Sequence, residues 1–264
     1  MTTIFEWDAE LGNFTGWDSV SPSNATMRVV AEPHLGNYSG ELIVNPSTTW
    51  AHAQLSKFVS MTEVYARAYF LFNSLPLPTN GRLWIIQLQG GPDNNETFLN
   101  LELVNIAGAT LWRIQTRNGT SWLFVQNGAA PLTGEWHHVE VHWKMGNPGI
   151  VELFVDGVSI ISRTDLDTSA YGACTRVRFG VGRYGSEPTY TFDENIDDVV
   201  IADTYVGPTE PMPPPPPQIY TVTYVSSPIS VPVMIDGSQI QSGSQIEFEE
   251  GTVITITVPQ EVEV

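Results

Sequence analysis

Apolar and polar residues alternate with a period of two through short runs spread over most of the chain up to residue 206. The clearest runs are VYARAYFLF (64–72), RLWIIQLQG (82–90), FLNLELVNI (98–106), LWRIQTRN (111–118) and WHHVEVHW (136–143). They continue with IVELFVDGVSII (150–161), TRVRFGVG (175–182) and IDDVVIAD (196–203). No stretch keeps a helical period over three turns, so the pattern predicts half-buried strands and an all-β sandwich or barrel. Turn chemistry punctuates the runs. Asp156-Gly157 predicts a two-residue hairpin, and Asn118-Gly119 and Gly146-Asn147-Pro148-Gly149 mark further turns.

Successive strand side chains point to opposite faces, so each run sorts into a core set and an outward set. The core set reads Phe70, Phe72, Leu99, Leu101, Leu103, Val139, Val141, Val151, Leu153, Val199 and Ile201. The outward set is Tyr65, Arg67, Tyr69, Asn100, Glu102, His138, Glu140 and His142. Around Trp84 the phase is ambiguous, because Trp84, Ile86 and Leu88 compete with Leu83 and Ile85; Gln87 and Gln89 are taken as outward. The neighbouring run is ambiguous too, with Arg113, Gln115 and Arg117 taken as outward.

The segment GPTEPMPPPPP (207–217), with five consecutive prolines, predicts an extended spacer between a domain at 1–206 and a small β-module at 218–264. The module resembles PEGA-type or Ig-like repeats at Ser226-Ser227-Pro228, Val233 to Gly237 and Glu250-Gly251-Thr252. It is expected to be incomplete, or completed by a partner. Asp236-Gly237 predicts a hairpin turn within it.

Charge narrows the partners. Eleven basic residues against 29 acidic ones give a net charge of −18, which repels phosphate backbones and argues against nucleic acid. No apolar run approaches the ~20 residues of a membrane span. The first residues show no secretory signal, and the single cysteine, Cys174, excludes an intrachain disulfide framework. Five Asn-x-Ser/Thr sequons favour an extracellular, cell-surface or virion location.

Three stretches in order carry a family likeness: Gly134-Glu-Trp-His-His-Val, Glu152-Leu-Phe-Val-Asp-Gly-Val and Phe192-Asp-Glu-Asn-Ile-Asp-Asp-Val. The chain resembles the laminin-G-like, concanavalin A-like superfamily, which implies a two-sheet antiparallel jelly-roll sandwich. The resemblance implies a glycan site on the concave face of one sheet, formed by Tyr65, Arg67, Tyr69, Gln87, Gln89, Asn100, Glu102, Arg113, Gln115, His138, Glu140 and His142. It also implies a structural Ca2+ between the first and last strands, held by Glu6 or Asp8 and Asp197 or Asp198, since Ca2+ takes hard oxygen ligands.

The leading expectation is a non-catalytic carbohydrate-binding or adhesion module for a polysaccharide or glycoconjugate. One alternative is a polysaccharide lyase or glycoside hydrolase, with Tyr69, His138, Glu140 and His142 as catalytic candidates and Arg67 and Gln87 neutralising a uronate. The other is a structural or decoration protein with a protein partner.

Overall fold

A computed structural model describes residues 2–46, 50–75, 77–91, 96–127, 131, 133–183 and 191–209 of a first unit. In a second unit it describes 219–223, 233–235, 238–241, 244–249 and 255–257. The first unit runs from Met1 to Glu210 and the second from Pro211 to Val264.

The first unit is all β. Its strands are β1 (Thr3–Trp7), β2 (Ser19–Ser23), β3 (Ala25–Val30), β4 (Ser39–Val44) and β5 (Ala51–Met61). They continue with β6 (Glu63–Ser74), β7 (Arg82–Gly90), β8 (Glu96–Ile106), β9 (Ala109–Asn118) and β10 (Ser121–Asn127). The last five are β11 (Trp136–Lys144), β12 (Gly149–Val155), β13 (Val158–Leu166), β14 (Cys174–Arg183) and β15 (Phe192–Ala202). Sheet A has the order β13-β12-β11-β6-β15-β4-β3, with β1 also on β15, and sheet B has the order β10-β9-β8-β7-β14-β5-β2. The paired strands are antiparallel, as a jelly-roll sandwich requires.

The two inner faces meet in one core. Phe70, Phe72, Val139, Val141, Val151, Leu153, Val199 and Ile201 come from sheet A, and Leu99, Leu101 and Leu103 from sheet B; all are at most 1% exposed. Every residue of the expected core set is therefore inside. Trp7, Phe14, Trp17 and Phe5 close one end through edge and stacked ring contacts. Cys174 is buried, and burial pushes its thiol up to about 12, so it behaves as a small apolar residue. The Asp156-Gly157 hairpin is present, with positive φ at both residues (52° and 76°) as a type I′ turn demands.

The ambiguous phase around Trp84 has a structural cause. A register shift between Trp84 and Ile86 turns both Ile85 and Ile86 into the core, with Trp84 on one side of the irregularity and Gln87 on the other facing away from it. A second shift between Leu88 and Gln89 likewise places Phe98 and Leu99 together inside.

After β15 the chain does not leave the domain at residue 206, where the boundary was expected. Residues 205–209 form a strap over the outer face of sheet A, where Val206 and Gly207 donate backbone N–H bonds to Glu140 (2.9 Å each). Thr209 donates to the Tyr69 hydroxyl at 2.9 Å.

In the second unit, β16 (Ile219–Thr223) pairs with β19 (Gln245–Glu249). Strands β17 (Val233–Ile235), β18 (Ser238–Ile240) and β20 (Ile256–Thr257) form a separate three-stranded sheet. The expected turn at Asp236-Gly237 and the proline run lie outside the described residues.

Candidate functional site

The twelve residues expected to share one sugar-binding surface lie on two different sheets, facing away from each other. Tyr65, Arg67 and Tyr69 on β6 and His138, Glu140 and His142 on β11 occupy the outer face of sheet A. Gln87, Gln89, Asn100, Glu102, Arg113 and Gln115 occupy the outer face of sheet B. Alternation assigns a face within each strand but not which sheet the strand joins, and the first set belongs elsewhere.

On sheet A most of the polar set is hydrogen-bonded within the protein. Glu140 is fully buried beneath the strap, and Arg67 donates to the carbonyls of Gly207 (3.3 Å) and Asp198 (2.9 Å). The Tyr65 ring stacks on His142 with centroids 4.0 Å apart, and the two ring nitrogens of His142 meet Glu152 (2.8 Å) and Glu63 (3.1 Å). His138 lies edge-on to Tyr69, with Nε2 3.4 Å from Glu140. Glu140 and Tyr69 thus tie β11 and β6 to the strap, and His142 is held between Glu152 and Glu63.

The expected calcium ligands are similarly occupied. Asp197 accepts N–H bonds from His34 (2.9 Å) and Asp198 (2.8 Å), and burial pushes its carboxyl up to about 7. The Asp198 carboxylate meets the His34 ring at 2.8 Å. Glu6, Asp8, Asp198 and Arg67 line a cleft of about 460 Å³ beside the strap. Among the described residues no three carboxylate, imidazole or thiol groups come together as metal ligands.

Sheet B is different. Its outer face carries Gln54, Ser56, Gln87, Gln89, Asn100 and Glu102, which point away from the core yet are no more than 6% exposed, so they floor a recess. Across it the register places Ser56 opposite Arg178, then Gln87, Asn100, Gln115 and Phe124. This row crosses six strands, or about 24 Å at the usual strand spacing. A parallel row runs Phe58, Arg176, Gln89 and Thr97, and another runs His52, Gly182, Trp84, Glu102 and Arg113.

Hydrogen bonds fix the floor. Gln87 donates to Asn100 (2.6 Å), Asn100 to Gln115 (3.2 Å), and Gln89 to Thr97 (3.0 Å). Arg113 grips Glu102 through Nε (2.8 Å) and a terminal nitrogen (2.5 Å). Burial pushes the Glu102 carboxyl up, and the Arg113 charge opposes this. Gly182 leaves room for the Trp84 indole to lie over β14, where a Cβ would collide with the ring.

Several buried polar atoms here have no hydrogen-bond partner: Gln87 Oε1, Trp84 Nε1, Arg176 Nε and His52 Nδ1. Buried polar groups are usually paired, so these atoms keep hydrogen-bonding capacity to spare, as do Arg67 Nε and both His138 ring nitrogens on sheet A. The other nitrogen of His52 is 3.2 Å from the Ser21 hydroxyl. Burial first, and the Arg178 charge second, lower the His52 pKa, which keeps the imidazole neutral near pH 7.

Arg176, Arg178, His52 and Trp84 are absent from the expected set, and Arg117, placed outward there, is not counted among its sugar-binding residues. The same alternation reveals the two arginines of β14, because Val177, Phe179 and Val181 are inward. His52 had only the weak signal of Ala51, Ala53 and Leu55 around it, since alanine barely registers as apolar.

The model of the concanavalin A-like lectin/glucanases superfamily matches residues 68–210, from β6 to the end of the strap. No curated protein matches the chain significantly. Among solved structures, the chain is similar to an endo-β-1,4-glucuronan lyase from the fungus Trichoderma reesei, with a TM-score of 0.62 at 16% identity. That match covers 77% of this chain and 96% of the other. A cellulose-induced protein, Cip1, aligns with a TM-score of 0.58 at 17% identity, covering 77% of this chain and 99% of its own. The alginate lyase Aly36B aligns at 0.51 and 15%, covering 63% and 81%. At such identities the likeness is one of fold.

Proposed function

This chain belongs to the concanavalin A-like lectin/glucanases superfamily, and from that premise we propose that the recessed face of sheet B binds an acidic polysaccharide. The observation that carries the reading is the placement of charge. Of only 11 basic residues in a chain of net charge −18, Arg113, Arg117, Arg176 and Arg178 share this one face. Gathering cations there opposes the field of the rest of the molecule and suits an anionic partner, even with Arg113 paired to Glu102. Guanidinium groups bind carboxylates in planar, charge-assisted pairs. The amides of Gln87, Asn100 and Gln115 match sugar hydroxyls. The structural neighbours named for glucuronan and alginate, both polymers of uronic acids, support the same ligand class.

A second reading rests on His52. A neutral imidazole beside Arg178 is equipped for β-elimination. Arg178 and the neighbouring amides would hold the uronate carboxylate, which acidifies the adjacent C–H. His52 takes that proton, the C–O bond to the next sugar breaks as a C=C bond forms, and the departing oxygen is protonated by the imidazolium or water. General base catalysis of this kind is worth about 10²–10⁴-fold in rate. On either reading, the proline segment and second β unit suit display of the domain at a cell surface or on a particle.

Calorimetry with polyglucuronate and alginate tests the first reading. Arg178→Ala should weaken binding by about tenfold or more, since a hydrogen bond to a charged group contributes ~1.5–3 kcal/mol, and a neutral glucan should bind poorly. Wild-type protein that ignores both polyuronates sinks the proposal. Absorbance of unsaturated uronate tests the second: His52→Gln should keep affinity and lose the rate, whereas no absorbance from the wild type leaves binding alone.

A further inference from the structure

We propose that Trp122 and Phe124 on the edge strand β10 form a distal shelf that stacks sugar rings and extends the binding face beyond its floor. The proposal rests on the acidic-polysaccharide reading and deepens it by stating that the face engages a chain longer than a disaccharide.

An edge strand with large exposed apolar side chains is a hazard that proteins usually blunt with charge. Here Trp122 is 37% and Phe124 51% exposed, and both stand on the outer face of sheet B. They are two residues apart on one strand, about 7 Å along it. The Phe124 position ends the row that begins at Ser56, so the shelf continues the polar floor.

Each ring is paired with a cation. The Arg117 guanidinium lies 3.8 Å from the Trp122 ring centroid and 5.1 Å from that of Tyr171. Its terminal nitrogen donates to the Thr120 carbonyl at 2.9 Å, which holds it in place. Arg113 lies 5.0 Å from the Phe124 ring. A uronic acid presents a C–H face and a carboxylate; both rings offer a surface for the first, and Arg117 offers a charge for the second, Arg113 being already paired with Glu102. The shelf therefore suits another acidic sugar of the same chain, not a separate ligand. From Arg178 to Phe124 is four strand spacings, about 19 Å, more than a disaccharide held at Arg178 can span.

The test uses oligoglucuronates and oligoalginates of graded length, with affinities measured by calorimetry. Wild-type affinity should climb with length, whereas the Trp122→Ala/Phe124→Ala double variant should match it on disaccharides and level off at about tenfold weaker on long chains, the scale of one or two aromatic contacts. Arg117→Ala should show the same length-dependent loss. The melting temperature should stay close to wild type because both rings are exposed, so a length-dependent loss reads binding rather than folding. Parallel climbs in the two proteins, or an equal loss at every length, overturn the shelf while leaving the floor intact. Wild-type protein that binds no length removes the acidic-polysaccharide reading, and the shelf falls with it.

Discussion

Replacing Glu140 with alanine should destabilise the first unit by about 3–5 kcal/mol, the usual cost of removing one partner from a buried charged cluster. The reason lies in what its carboxylate organises. Both oxygens are spent on the strap N–H groups of Val206 and Gly207, and the strap carbonyl of Gly207 is in turn held by Arg67. Without the carboxylate, two backbone donors and a guanidinium lose their counterpart in a place from which water is excluded. Glu140→Gln keeps acceptor capacity and should lose less. Denaturant unfolding of both variants reads the difference. If Glu140→Ala unfolds like the wild type, the strap is not held by this residue. If Glu140 were instead a catalytic group, alanine would leave stability intact and remove only activity.

The second large effect concerns Glu194, whose carboxyl faces the core from β15 with neither oxygen hydrogen-bonded. Burial, reinforced by the nearby Asp193 charge, holds its pKa well above the usual carboxylate range, so the group is a neutral acid in the folded chain. A folded pKa above the unfolded one means that the folded state holds the extra proton. The associated stability is therefore complete below the unfolded carboxylate pKa and declines as pH rises toward the folded value, by up to ~1.4 kcal/mol per pH unit. Asp197 adds to the slope in the same direction until about pH 7. Glu194→Gln should flatten the part of the decline that belongs to Glu194, and Glu194→Met should also raise stability by about 1–3 kcal/mol at neutral pH by removing an unpaired polar group. Melting temperatures from pH 4 to 9 provide the test. A wild type that gains stability as pH rises over this range would contradict the assignment.

Much of the sandwich was legible because both inner faces are strictly apolar. Leu99, Leu101 and Leu103, or Val139 and Val141, leave no doubt about which side of the strand is buried. Two things escaped alternation for physical reasons. The irregularity at Ile85-Ile86 adds a residue to one strand only, and a period of two has no symbol for that. The grouping of strands into sheets depends on pairing between distant segments, so β6 and β11 were credited to the same surface as β7, β8 and β9. The polar residues of β6 and β11 looked like a site because charge on a strand face usually means solvent. Here it means a covering segment, and the sequence Tyr205-Val206-Gly207 gives little hint that its backbone supplies the missing donors. Half of the expected surface, Gln87, Gln89, Asn100, Glu102, Arg113 and Gln115, does lie together.

The strap also determines how the domain would bear load. Tension along the proline segment that follows would not reach the end of β15 first. It would meet the hydrogen bonds that Val206, Gly207 and Thr209 make to Glu140 and Tyr69, near the middle of sheet A. Those bonds lie in series with the sandwich and are fewer than the bonds that hold β15 in sheet A, so they should yield first. Their release would pay out roughly 17 Å of chain from residues 205–209, a short step ahead of the main rupture in a single-molecule extension trace. A domain held this way has a mechanical fuse: a brief pull lengthens the tether while the arginine-lined face keeps its shape.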